Sequence, residues 1–306
     1  MHPLQYHPGQ VAVQQEANTR DLADHLAQWV GPAREFAERA DLLVFAHQSD
    51  GHLHFTAFSG TPPLVHAAGP SALLVDGQSG RLRPGLLGGL AINLGEARRV
   101  RLNGHLRSTP DGDLLEIEEA FTLCRKYLAP SVGVDGRACA GPGATEPLPL
   151  DDPWLADVVK RAETSFLGSI SPDSAPDVAH RGGPPGFLDL DPDQRSLTWP
   201  EYLGDGVFKS AGNVRATSAM TLLVPDLDTG DALELIGHGS YTNLRLMRGP
   251  RREPLVRDRD HFPVQGRMEV KLEQALRLRR FIVPRRRVEK ASKITSRSHA
   301  DEQAPQ

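Results

Sequence analysis

The 306-residue sequence predicts a mainly β protein built as two related β-rich domains, and three observations carry that reading. Aromatic residues are only 6% of the chain while Gly and Pro number 29 and 25, a composition that favours short strands and turns over long helices. Apolar runs of strand length are bounded by turn residues: residues 42–46, the turn Ser49-Asp50-Gly51 and residues 52–58 read together as a β-hairpin. The strand-and-turn pattern then recurs along the chain at a nearly fixed offset.

That offset organises everything else. Arg39-Ala40 matches Arg161-Ala162, Asp50 matches Pro172 and Pro62-Pro63 matches Pro184-Pro185, all 122 residues later. Further on, Leu94 matches Leu227 and Gly104 matches Gly237 at an offset of 133. The 11-residue difference falls between the Pro-Pro turn and the Leu90 strand, where the second copy carries Tyr202 to Asn213. A third echo closes each copy, LLEIEEAFTLCRKYLAP (114–130) against MEVKLEQALRLRRFIVP (268–284), each read as a strand with a helix-like amphipathic end.

The elements follow in order. Residues 1–17 read as irregular, interrupted by Pro3 and Pro8. Asn18 or Thr19 caps a helix expected to run to Trp29, with Leu22, Leu26 and Trp29 on one face, and Gly31-Pro32 stops it. A second short helix is expected over 32–40. The domain plan is an N-terminal extension (1–35), a first domain (36–130), a Gly- and Pro-rich flexible linker (131–153), a second domain (154–284) and a charged tail expected to be disordered (285–306).

Composition excludes several classes of function. A net charge of −4 implies no polyanionic or membrane partner by itself. Cys124 and Cys139 lack CxxC spacing, which argues against a disulfide framework or zinc site. With no signal-peptide-like or membrane-length apolar run, a cytoplasmic protein without a membrane partner is expected. The basic run Arg277, Arg279, Arg280, Arg285, Arg286 and Arg287 is interspersed with acids and lacks an aromatic RNA-binding signature, so it reads as a solvated face rather than a nucleic-acid surface. His52 and His54 share one strand face but show no third ligand, and no metal is expected.

The stretch 177–213 is the strongest candidate site. It carries the turn Arg181-Gly182-Gly183-Pro184-Pro185-Gly186, a strand over 196–200, and a glycine-flanked segment holding Lys209, Ser210 and Asn213. A helix or turn starting near Gly204 would offer free N–H groups and a positive dipole end to an anion, with Lys209 adding a full charge.

Several motifs in order, SFLGSISPDSAPDVAHRGGPPGF (165–187), LTWPEYLGDGVFKSAGN (197–213) and TLLVPDLDTGDALELIGHG (221–239), make the second copy resemble the pyridoxamine 5′-phosphate oxidase-like family of FMN-binding split barrels. The first copy resembles it less completely, through LAINLGEARRVRLNGHL and EEAFTLCRKYL, and YHPGQVAVQQEA is similar to the opening of tandem members. The resemblance implies two tandem split β-barrels of Greek-key topology with accessory helices, paired within one chain or in a homodimer, with FMN in the groove between barrels. It implies His180 and Arg181 at the flavin and phosphate, Thr198, Trp199 and Tyr202 along the flavin edge, and Lys209, Ser210 and Asn213 near the phosphate. Asp205 departs from the family pattern, which favours Asn there. The function implied is an FMN-dependent oxidoreductase of unspecified small-molecule substrate, with a nicotinamide as a candidate electron donor. A flavin-binding sensor or carrier without turnover, and a purely structural module, are the alternatives.

Overall fold

Alternating apolar residues fold the first half into an antiparallel sheet of β1 (Leu42–Ser49), β2 (His52–Ser59), β3 (Val65–Gly69), β4 (Ala72–Val75), β5 (Gly85–Asn93), β6 (Arg98–Thr109) and β7 (Gly112–Thr122). Their spatial order is β3-β4-β7-β6-β5-β1-β2. This computed structural model describes residues 3–26, 28–75, 82–128, 130–133, 139–244, 247–248, 251–252 and 256–288. The expected hairpin is present, with Asp50 and Gly51 both left-handed (φ 53° and 83°), the backbone that a two-residue turn matched to strand twist requires.

The span 131–153, expected to be a flexible connector, holds three short strands: β8 (Ser131–Gly133), β9 (Cys139–Gly141) and β10 (Ala144–Leu148). β9 extends the first sheet beside β2. The second half then forms β11 (Thr164–Ile170), β12 (Pro176–Gly182), β13 (Asp189–Asp191), β14 (Ser196–Tyr202), β15 (Ala219–Pro225) and β16 (Ala232–Asn243). The two-residue strands β17 (Met247–Arg248), β18 (Arg251–Arg252) and β19 (Val256–Arg257) precede the long β20 (Pro263–Arg279), and β21 (Arg285–Arg287) comes last. The second sheet runs β13-β14-β20-β16-β15-β11-β12, with β10 alongside β20. The chain is therefore mainly β, and its two sheets pass through equivalent strands in one order.

Register makes the equivalence specific. Gly104 and Gly237 each sit at a bulge, and a Cβ on either would lie 2.0 Å from a carbonyl oxygen of the facing strand, Glu116 or Lys271. The closing echo is strand through Thr122 in one half and Arg279 in the other, and the amphipathic helical ends expected after them are absent. Gly230 and the segment around Phe281 instead make the backbone hydrogen bonds there.

Among the described residues five helices flank the sheets: α1 (Pro8–Glu16), α2 (Arg20–Asp24), α3 (Val30–Ala37), α4 (Pro153–Arg161) and α5 (Lys209–Thr217). Pro8 starts a helix rather than preventing one, because in the first turn its missing N–H costs nothing and His7 and Gln10 form a capping box. The helix expected to reach Trp29 ends at Asp24; Leu22 is exposed, and Trp29 caps α3. Gly31-Pro32 lies inside the first turn of α3 instead of ending a helix. Among the described residues only the second half carries a helix such as α5, between β14 and β15, where the first sequence copy is shorter.

Each half has its own core, one around Trp199 and Leu222, the other around Phe45 and Leu102. A third cluster joins them: Val44, Phe55 and Leu90 of the first half pack with Phe166, Val178 and Leu223 of the second. The contact is reciprocal. Arg101 on β6 meets Asp177 on β12, while Glu234, at the β16 position equivalent to Arg101, meets His54 on β2. β21 pairs with β8, and buried Arg285 bonds Asp41 and Ser131, so residues 285–287 are ordered into the fold; residues 289–306 of the expected disordered tail lie outside the described residues.

Candidate functional site

The junction leaves a cleft of about 100 Å³, partly open to solvent, between the start of β6 and the segment after β7 on one side and β12, β14 and the start of α5 on the other. His180, Arg181, Tyr202, Lys209 and Ser210, five of the eight residues expected at the site, line it. The first half reaches it because Gly182 admits the Tyr127 backbone: a Cβ there would stand 2.0 Å from the Tyr127 oxygen. Tyr127, itself left-handed at φ 60°, then stacks on Tyr202 with ring centroids 5.0 Å apart.

The other three expected residues lie elsewhere. Trp199 is a core side chain, 1% exposed, whose indole N–H donates to Glu201 Oε1 at 2.8 Å. Thr198 accepts from Arg267 at 3.2 Å on a separate face lined by Phe187 and Arg259. Asn213 fastens α5 to its surroundings. Gly9 N–H donates to His7 Nδ1, which places the His7 proton on Nε2, and that N–H donates to Asn213 Oδ1 at 2.8 Å. Gln10 donates to the same oxygen, and the Asn213 amide donates to Ser169. α1 comes close enough for this because Gly212 faces Gln10, with 2.4 Å between a hypothetical Cβ and the Gln10 Cα.

The helix expected to begin near Gly204 begins at Lys209, after Phe208 in a left-handed conformation (φ 53°). The cradle residues at its start are already engaged. Lys209 Nζ bonds Glu119 Oε2 at 2.5 Å, and Ser210 Oγ donates to Asp177 Oδ2 at 3.2 Å. Asp177 also pairs with Arg101 at 3.0 Å and accepts from Asn103, so two cations and two carboxylates neutralise each other under the cleft floor. Arg181 bonds Glu201 at 2.6 Å and donates to the His180 carbonyl. Asp205 turns Oδ1 to the Val207 N–H.

Two groups in the cleft stay unsatisfied. Arg99 is 8% exposed and pairs with no carboxylate among the described residues; its guanidinium reaches only the Lys126 carbonyl at 3.5 Å and Cys124 Sγ at 3.8 Å, and Nε has no partner. Those distances are at or beyond the limit of useful hydrogen bonding. His180 is 6% exposed and its Nε2 also lacks a partner. Burial, then the charges of Arg99 and Arg181, holds its pKa well below the ordinary value, so the ring is neutral. Burial lowers the Arg99 pKa and raises that of the Cys124 thiol, which keeps the latter protonated.

Sequence reasoning missed Arg99, Arg101, Glu119 and Glu201. The signal for the first two was present: Arg99 and Arg101 alternate along one strand and so share a face. The basic run at 277–287 is largely used in ion pairs, Arg277 and Arg279 with Asp231, Arg279 also with Glu146, and Arg287 with Glu163. His54 is held by Glu234. No helix of the described residues is long and apolar enough to cross a membrane.

Fold and cleft together define the class as a mainly β chain of two paired sheets with a polar cleft at their junction. No protein-family model matches the chain, and no curated protein matches it. Among solved structures it is similar to HupZ from Group A Streptococcus, at 10% identity over 39% of this chain and 86% of that one, with a TM-score of 0.28. A pyridoxamine 5′-phosphate oxidase-related FMN-binding protein from Nostoc punctiforme aligns at 12% identity over 44% and 89%, with a TM-score of 0.29. HutZ, a heme storage protein from Vibrio cholerae, aligns at 11% identity over 42% and 94%, with a TM-score of 0.27.

Proposed function

We propose that this chain is an FMN-binding protein of the pyridoxamine 5′-phosphate oxidase-like kind, descended from a duplicated split barrel, that holds the flavin in the junction cleft and acts through it as an oxidoreductase. The observation that supports this most directly is the gathering of His180, Arg181, Tyr202, Lys209 and Ser210 around one cleft whose buried Nε atom of Arg99 and Nε2 of His180 lack partners. Orphaned buried donors are costly unless a ligand meets them.

The donor set fits a phosphorylated, planar ligand, though not through the residues the sequence singled out for its phosphate. Lys209, Ser210 and Asn213 hold α5 in place, and its first turn, whose N–H groups have no partner within the helix, borders the cleft. Tyr127 and Tyr202 offer an aromatic rim, fixed by the Tyr202 hydroxyl's bond to Asp258 at 2.6 Å. A neutral His180 retains one N–H to donate. When bound, the flavin supplies the electron transfer, and the protein binds and orients it.

Purified protein titrated with FMN should quench flavin fluorescence saturably. A protein that leaves FMN fluorescence unchanged at every concentration tried sinks the reading. A small-molecule substrate and a nicotinamide electron donor belong to the same proposal, and anaerobic reduction of bound FMN by a reduced nicotinamide separates an oxidoreductase from a carrier.

A further inference from the structure

The geometry points to an oxyanion subsite formed by Arg99 of the first half and His180 of the second, suited to a phosphate monoester. It shares the cleft with the flavin reading but does not depend on a flavin. Both side chains are more than nine-tenths buried, both line the cleft, and each keeps a buried nitrogen without a partner.

The charge count decides the location. Arg101 and Lys209 are balanced by Asp177 and Glu119, and Arg181 by Glu201. An anion arriving at Lys209 and Ser210 would have to displace carboxylates already bonded there. Arg99 makes no salt bridge among the described residues: Asp205, in the same cleft, acts on it only from beyond ion-pair distance and turns Oδ1 to the Val207 N–H, and a buried guanidinium without a bonded counterion is costly. An oxyanion removes that cost. A guanidinium offers a planar fork and His180 a single donor, and the first turn of α5, at Lys209, Ser210 and Ala211, borders the same space. A tetrahedral group with several acceptor oxygens can use donors from these separate elements at once.

The test measures inorganic phosphate binding by calorimetry on the full chain and on Arg99→Gln, Arg99→Lys, His180→Phe and Lys209→Met. Arg99→Gln should weaken phosphate about tenfold or more, the loss expected for a charged hydrogen bond, with partial recovery in Arg99→Lys. His180→Phe should weaken it several-fold, about 3-fold or more on the same scale. Phosphate binding that survives Arg99→Gln, or that falls only with Lys209→Met, overturns the assignment. Should Arg99→Gln fail to fold, ¹⁵N-histidine NMR of the wild-type protein decides: the His180 Nε2 resonance moves on phosphate addition, and its failure to move overturns the subsite.

Competition identifies the source of the group. Phosphate that competes with FMN, together with a preference for FMN over riboflavin that disappears in Arg99→Gln, assigns the subsite to the flavin's own phosphate. Phosphate that binds alongside FMN assigns it to a second, phosphorylated ligand. Phosphate bound through Arg99 by a protein that ignores FMN keeps the subsite and removes the flavin reading.

Discussion

Replacing Asp177 with Ala tests the buried network that joins the two halves. Its carboxylate is 2% exposed and accepts from Arg101 at 3.0 Å, Asn103 at 3.0 Å and Ser210 at 3.2 Å. Arg101, itself 4% exposed, would be left as a buried charge facing Phe121, whose ring lies 5.0 Å from the guanidinium. Removing one member of such a pair typically costs about 3–5 kcal/mol. With a urea m-value of about 3 kcal/mol/M for a chain above the small-protein range, the midpoint should fall by about 1–1.7 M. Tryptophan fluorescence during urea unfolding provides the readout, since Trp154 and Trp199 belong to the second half and Trp29 caps α3 beside the first. Arg101→Met and the double variant complete a cycle in which the coupling should reach about 1–3 kcal/mol. A coupling below about 0.5 kcal/mol would show that the pair does not hold the halves together as argued.

Two further outcomes follow from the fold. Gly104→Ala and Gly237→Ala should each destabilise by about 2–3 kcal/mol, lowering Tm by roughly 5–10 °C, because both would push a Cβ into a facing carbonyl; calorimetry that finds one of them neutral would break the equivalence of the two bulges. Acid should weaken the protein between about pH 6.5 and pH 4. Burial, then the charges of His54 and Arg83, holds the His47 pKa down to about 4, so the unfolded chain takes up that proton first and stability falls as pH drops through this window. The gap corresponds to about 3 kcal/mol. His54, raised chiefly by its hydrogen bond to Glu234, acts in the opposite sense, adding stability below its unfolded pKa that is lost as pH rises through the folded one. A His47→Gln variant whose urea midpoint falls with acid as steeply as the wild type's would refute the assignment to His47.

The strands were legible in the sequence because their signal is local: the hairpin at Asp50-Gly51 and the glycines at 104 and 237 mark backbone positions that few other residues tolerate. Offset matching also located α5, as the place where one half is longer. The helices were read poorly. Pro8 serves as a helix start only because His7 and Gln10 cap it and α5 lies beside it, and none of this is visible in a window around Pro8. The site was half legible. Residues 177–213 do border the cleft, yet charge in a sequence does not announce its partner. Lys209 reads as a free cation until Glu119, ninety residues earlier, is folded against it. Arg99 reads as one arginine in a basic strand until folding buries it without a salt bridge among the described residues.

The reciprocal contacts at the junction also govern which halves can assemble. A copy of the second half standing in for the first would bring Glu234 to the place of Arg101, carboxylate against the carboxylate of Asp177. Two first halves would set the Arg101 cation against the imidazole of His54, which protonation would turn into a second cation. Self-pairing of the second half is thus penalised by repulsion between carboxylates, and that of the first half by repulsion once His54 is protonated, while the unlike pair gains attraction at both places.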